Sequence, residues 1–429
     1  MRGHKVEQLG IATVGFFWCF LMWFSTAAFS PSIAATYHLT IKDLGLLASS
    51  AIWMAPVGRI VAGWAADRFG APRTFAAILA GCGLVSIASA FTTSYELLFA
   101  ERVIVAIAGV SFVVGIQHVA QWFDSHEMGT AEGLYAGTGN VGAGVGALLL
   151  PRIFGTDYQS AFLWLGVIAL LVAAWYLVRG SAARTTELRD AARRGGDLRG
   201  MVFVWTRYIA IALMLAYAMS FGLEIALNAW LPGYFAHGFH DEIAALGFTG
   251  VAGLQIAAGS FAAVESFNAS LFRPFAGFMS DLFQRRGWTP LPFIAKELPY
   301  APRLQWLGIA LILITVSMAG LTIAGLYGSL PLSVVTLVAF GTGGTFALVP
   351  LLFPDRPGIA AGFVGGISTF GGIVYPLIFA GSANTHVGYL YVALYMFVPF
   401  ILFYFWAARY ERRPQEHGFL SRSLAGQQA

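Results

Sequence analysis

Apolar residues along this chain come in long runs rather than in the short periods of a soluble core. Twelve runs can be drawn: 11–36, 45–66, 73–92, 96–122, 129–154, 158–179, 207–236, 247–280, 304–325, 329–353, 357–383 and 385–410. At 1.5 Å per residue each is long enough to cross a hydrocarbon layer of about 30 Å, so the pattern predicts twelve transmembrane helices. The eighth run exceeds one span; tilt, or a start in an outer loop, accommodates the excess. Between the sixth and seventh runs, residues 184–199 are polar throughout. The chain therefore divides into an N-terminal six-helix bundle (1–180), a linker (181–206), a C-terminal six-helix bundle (207–410) and a tail (411–429). The predicted fold is all-α and integral to the membrane, built of two pseudo-symmetric halves.

Composition agrees with this class. The chain is 58% hydrophobic and 11% charged, with a mean hydropathy of +0.72, less than half the charge of a typical soluble protein. The 50 glycines suit membrane helices that approach closely. Although the pI is near 9, the basic residues fall in short loops between apolar runs, which excludes a nucleic-acid partner and leaves the lipid bilayer as the surroundings. With the N-terminus inside, only Lys42, Arg102 and Arg152 among the basic loop residues fall on the opposite side. That asymmetry predicts an inner cell membrane protein with both termini cytoplasmic. The first run is too long for a cleaved signal core and reads as the first span. Cys19 and Cys82 lie in apolar runs without metal-ligand companions, so neither a metal site, a cofactor nor a disulfide is expected.

The chemistry concentrates in two echoes. Residues 56–73 place Arg59, Gly63 and Asp67 at four-residue steps, and residues 271–287 place Arg273, Gly277 and Asp281 likewise, about half the chain later. Eight residues from the aspartate put each arginine roughly 12 Å inside the boundary, near the midplane of the bilayer. A guanidinium there must face protein, water or an anion, and its planar fork suits an oxyanion. The carboxylates available to neutralise the pair instead are Glu224 and Glu265. The second echo joins the glycine-rich run at 133–146, which contains Gly137 and Asn140, to the run at 362–376. Its larger spacing is absorbed by the long loop 282–303. Glycine-interrupted segments in matching positions of two halves point to a transporter binding site, and Asn140 needs a polar partner within such a face.

These residues carry a resemblance. Gly63-x-x-x-Asp67-Arg68-x-Gly70-x-x-Arg73 resembles the cytoplasmic loop motif of the major facilitator superfamily, with Gly277, Asp281, Arg285, Arg286 and Gly287 as its weaker second copy. An arginine in the second and eighth segments, with glycine signatures in the fifth and eleventh, looks like the nitrate/nitrite porter family within it. The resemblance implies alternating access and paired substrate arginines, Arg59 and Arg273, with Asn140 and Gly137 from the signature. Tyr217 and Phe221, Phe112 and Phe24 would line the walls, and Gly63, Asp67, Arg68 and Asp281 would form the gate. No enzyme is expected, since no nucleophile–base pair falls on the aligned faces.

The implied substrates are nitrate and nitrite, moved by antiport or by proton symport in a monomeric carrier. Oxalate and formate share the charge and planarity, and a membrane-embedded anion sensor would use the same site without flux. Proton coupling requires a titrating group. Glu224, two turns beyond Tyr217, and His118, two turns beyond Phe112, are the candidates; Glu265 falls near the outer water boundary by the rise per residue.

Overall fold

The computed structural model describes residues 2–123, 125–181, 207–294, 300–338, 345–353 and 357–410. The linker beyond Ser181 and the tail lie outside the described residues, as do residues 295–299, 339–344 and 354–356. Among the described residues every regular element is helical.

In the first half, α1 (Arg2–Trp23) continues after a short break into α2 (Ser30–Tyr37). The second segment is α3 (Ile41–Ser50) and α4 (Ala55–Phe69), interrupted over residues 51–54; Pro56 sits in the first turn of α4, where its missing N–H has no intrahelical partner to lose. Then come α5 (Ala71–Ser89), α6 (Tyr95–Val105), α7 (Ser111–Ala120), α8 (Ser125–Phe154) and α9 (Tyr158–Arg179). The second half opens with α10 (Tyr208–Tyr217) and α11 (Leu223–Gly238), joined by a π-turn over Ala218–Gly222. It continues with α12 (Gly250–Arg286), α13 (Ala301–Leu326), α14 (Leu330–Val338), α15 (Thr345–Leu352), α16 (Pro357–Ile367), α17 (Phe370–Gly381), α18 (Thr385–Val392) and α19 (Val398–Tyr410).

Nine helical stretches among the described residues are long and apolar enough to cross a membrane. The fifth and eighth segments, α8 and α12, are not among the nine. Both are diluted by glycine, serine and charge, and both pack one face against the other half.

Two of the seams between the halves are equivalent. α8 packs against α12, and α3 packs against α17; each pairs an arginine-bearing segment of one half with a glycine-rich segment of the other. Gly45 stands fourteen residues before Arg59, and Gly259 fourteen before Arg273. A Cβ on Gly45 would come within 2.1 Å of Ala380 Cβ, and one on Gly259 within 2.2 Å of the Ala147 carbonyl oxygen. Side-chain bonds also join the halves. Ser49 Oγ donates to Ile373 O at 2.8 Å, and Gln255 accepts from Ser32 Oγ at 2.6 Å while donating to Gly155 O at 2.7 Å.

Gly259→Ala is accordingly expected to destabilise the detergent-solubilised protein by about 1–3 kcal/mol, the usual cost of overpacking against an immovable backbone. Gly81→Ala in α5, where nothing lies within 4 Å of the added atom, should instead stabilise by about 0.5–1 kcal/mol. Thermal unfolding of the two variants checks both; equal shifts would mean that the seam tolerates expansion.

Candidate functional site

Arg59 projects from α4 and is only 5% exposed. Its Nη1 donates to Gly365 O at 2.6 Å, in the glycine-rich segment of the opposite half. Its Nε and Nη2 are buried without a hydrogen-bond partner. Leaving a buried donor unsatisfied costs about 1–3 kcal/mol, more when it is charged, so these two atoms specify an acceptor.

Arg273 projects from α12 and is answered differently. Its Nη2 donates to both oxygens of Glu224, at 2.9 and 2.7 Å. Asn140 of α8, with its amide oxygen turned to the guanidinium, accepts from Nη2 at 2.6 Å and from Nη1. The same carboxamide lies 3.4 Å from Glu224 Oε1. Each arginine thus belongs to one half and is held by the glycine-signature segment of the other. Neutralisation by carboxylate, which the sequence leaves open for both, occurs at Arg273.

The π-turn shapes the wall between them. It carries Phe221, whose ring lies 5.3 Å from Arg59 Cζ and 5.6 Å from Arg273 Cζ, so one ring is within cation–π reach of both cations. Tyr217 stacks on Phe221 with ring centroids 5.1 Å apart at 11°. Phe112 also stacks on Phe221, with centroids 6.2 Å apart, and approaches Arg59 Cζ at 5.7 Å. The inserted residue turns Phe221 and Glu224 toward the arginines together. π-turns of this kind recur at functional sites.

Other expected residues fall elsewhere. Phe24 packs on Trp23 and Phe20 and lines a small cavity with Leu47 and Ala229. His118 is buried, with Nδ1 2.6 Å from Tyr176 Oη and Nε2 3.1 Å from Ser181 O, which ties both nitrogens into the packing of the first half. Gly137 faces the backbone of Ser270 across the α8–α12 seam. Asp281 pairs with Arg303 of α13 at 2.7 Å, within its own half. Arg68 lies over the rings of Trp64 and Phe69. A Cβ at Gly63 would meet nothing within 4 Å, and the Asp67 side chain lies outside the described residues.

One placement corrects the sequence reading. Glu265 is 1% exposed, not at a water boundary, because α12 runs on to Gly250 and its middle, rather than its end, meets α8 and α11. Its Oε2 has no hydrogen-bond partner. The Gly365 carbonyl was also out of reach of sequence reasoning, since every residue has one.

Comparison with known proteins follows the same line. The chain is 28% identical to the probable nitrate/nitrite antiporter NarK1 of Thermus thermophilus, covering 88% of this chain and 85% of that one. It is 24% identical to the nitrate/nitrite transporter NrtP of Nostoc punctiforme, covering 85% of each. A third relative, the nitrite extrusion protein of Bacillus subtilis, is 24% identical over 95% of this chain and 97% of its own. Among solved structures, an inward-facing bacterial homolog of the human lysosomal transporter Spinster superposes with a TM-score of 0.65 at 16% identity, covering 95% of this chain and 98% of the other. The sequence model of the Major Facilitator Superfamily matches residues 11–352, well over half of the chain, and the protein therefore belongs to that superfamily of membrane transporters.

Proposed function

We propose that this transporter carries nitrate and nitrite by alternating access, with Arg59 and Arg273 as the two sides of one anion site. The observation that carries the reading is the pair of orphan donors on Arg59, Nε and Nη2, with a second guanidinium within reach of the same Phe221 ring. A planar oxyanion of charge −1 satisfies those donors along its edge, and Phe221 and Phe112 supply flat apolar faces. The relatives, named as nitrate/nitrite transporter, nitrate/nitrite antiporter and nitrite extrusion protein, support this substrate. Because each arginine is held by the opposite half, rocking one six-helix bundle against the other would remake the site at every cycle. The charge asymmetry of the loops supports an inner-membrane setting with both termini cytoplasmic, and the carrier is taken to act as a monomer. Asp67, Arg68 and Asp281 are assigned to the gate.

The test is uptake of labelled nitrate into proteoliposomes loaded with nitrite. Uptake well above that of protein-free vesicles is expected. If nitrate binds but never crosses, the protein is a sensor; if oxalate or formate is carried and nitrate is not, the site serves another planar anion.

A further inference from the structure

We infer that the cavity beside Phe24 is a second, weaker anion station, which nitrate occupies on its way between the arginine pair and the outer face. The inference rests on the nitrate reading and the orientation proposed above. The cavity measures about 20 Å³ and lies between the halves, walled by Trp23, Phe24, Thr26, Ser30 and Ala48 from the first and by Ala229 of α11 from the second. Six serine and threonine hydroxyls fall in the first apolar run. Four have acceptors: Thr13 donates to Leu9 O, Ser25 to Met22 O, Thr36 to Ser32 O, and Ser32 to Gln255 Oε1. Thr26 and Ser30 have none, although they are only 8% and 5% exposed. A helical hydroxyl readily bonds the carbonyl one turn back; these two forgo it, and both line the cavity.

Contacts tie the cavity to the central site. Phe24 in its wall meets Phe20 with ring centroids 5.6 Å apart, Phe20 meets Phe16 at 4.6 Å, and Phe16 meets Phe112 at 5.6 Å. Phe112 in turn lies 5.7 Å from Arg59 Cζ. An unbroken line of rings thus leads from the cavity to the first guanidinium. Ala229 stands five residues beyond Glu224 in α11, a rise of roughly 7.5 Å. On the other side of the cavity, two residues beyond Ser30, Ser32 N and Oγ both donate to Gln255 Oε1, at 3.2 and 2.6 Å, and tie the halves together. A Cβ on Gly233 of α11 would come within 3.3 Å of Ser30 Oγ, so the halves meet at this hydroxyl.

The chemistry suits an anion in passage. Trp23 Nε1 is committed to Ala51 O at 2.5 Å, which leaves the two hydroxyls as donors among side chains otherwise apolar. A hydroxyl donates to an oxyanion without bringing a charge, so the station holds nitrate less firmly than the guanidiniums do. That is what a route requires: sites favourable enough to enter and weak enough to leave. At about 20 Å³ the cavity has room for one water molecule. Nitrate enters when the halves part at Ser32 and Gln255 and the walls separate; no covalent bond forms or breaks.

The experiment compares full-length wild type with the double variant Thr26→Val/Ser30→Ala, in nitrate/nitrite exchange by proteoliposomes and in equilibrium nitrate binding by purified protein. Removing two unpartnered buried donors relieves a cost of folding, so the thermal midpoint should hold or rise. At nitrate concentrations well below saturation, exchange is expected to fall about tenfold, the worth of one hydrogen bond to a charged group, while affinity stays within about twofold. Thr26→Ser, which keeps the hydroxyl, should exchange at close to the wild-type rate. Ala48→Val leaves both hydroxyls in place and fills the same space from α3; it should slow exchange as well, with affinity kept, and its reading does not depend on the double variant. Unchanged exchange in the double variant or in Ala48→Val overturns the station. A fall in affinity that matches the fall in exchange also overturns it, since Thr26 and Ser30 would then belong to the central site. A wild type that neither binds nor exchanges nitrate rejects the arginine site itself, and the station with it.

Discussion

Arg59→Lys is expected to cut nitrate transport by roughly 10- to 100-fold, the equivalent of the 1.5–3 kcal/mol carried by one hydrogen bond to a charged group. Lysine keeps the positive charge and a donor for Gly365 O, so folding should survive. It loses the planar fork that presents Nε and Nη2 together, and with it the in-plane grip on an oxyanion. The loss should fall mainly on the apparent affinity, since the lysine ammonium can still balance the site's charge. Transport kinetics over a range of nitrate concentrations, with thermal stability as the control, give the measurement. Near-normal affinity in the lysine variant would mean that the substrate responds to charge alone and that the fork of Arg59 serves Gly365 rather than an anion.

Glu224→Gln is expected to act in the opposite sense on binding while nearly abolishing turnover. The carboxylate neutralises Arg273 through contacts of 2.7 and 2.9 Å; removing its charge leaves the site one unit more positive. At an effective dielectric of about 20 and a separation of roughly 6 Å, that change favours a bound anion by about 3 kcal/mol, or a factor of order 100 in affinity. An anion held that tightly stabilises the loaded form and slows its release, and the form without anion becomes a buried, uncompensated cation. Equilibrium binding should strengthen as exchange falls by about two orders of magnitude. Weaker binding with unchanged exchange would show that Glu224 shapes the fold around Arg273 and leaves the anion's energy alone.

The architecture was legible because a bilayer imposes its own ruler. Twelve runs of suitable length, a polar middle and a one-sided distribution of Lys and Arg follow from hydrocarbon thickness and charge, whatever the details of packing. The arginine pair was legible for the same reason, since a cation at mid-membrane is too costly to be incidental; the aromatic pair Tyr217 and Phe221 came only from the family resemblance. What the chain did not disclose is who answers each charge. Glu224 and Glu265 were equal candidates by spacing, and only the closeness of α11 to α12 separates the one that pairs from the one that is left over. Phe24 and His118 show the converse limit: periodicity places a residue on a helix, not on the side of the helix that meets the centre. The interruption between Tyr217 and Glu224 carries no proline and follows no motif, so helical arithmetic counted straight through it.

That interruption makes the centre sensitive to chain length in a way that side-chain replacement cannot imitate. The five-residue turn over Ala218–Gly222 holds one residue more than a regular turn would, and each residue of an α-helix advances the chain by about 100° of rotation. Deleting any one of the five would let the helix run true and swing Glu224 about a quarter-turn around the axis, away from Arg273, while the apolar length needed to span the bilayer stayed almost unchanged. A single codon lost there would re-aim the counter-ion of the site and leave the scaffold intact.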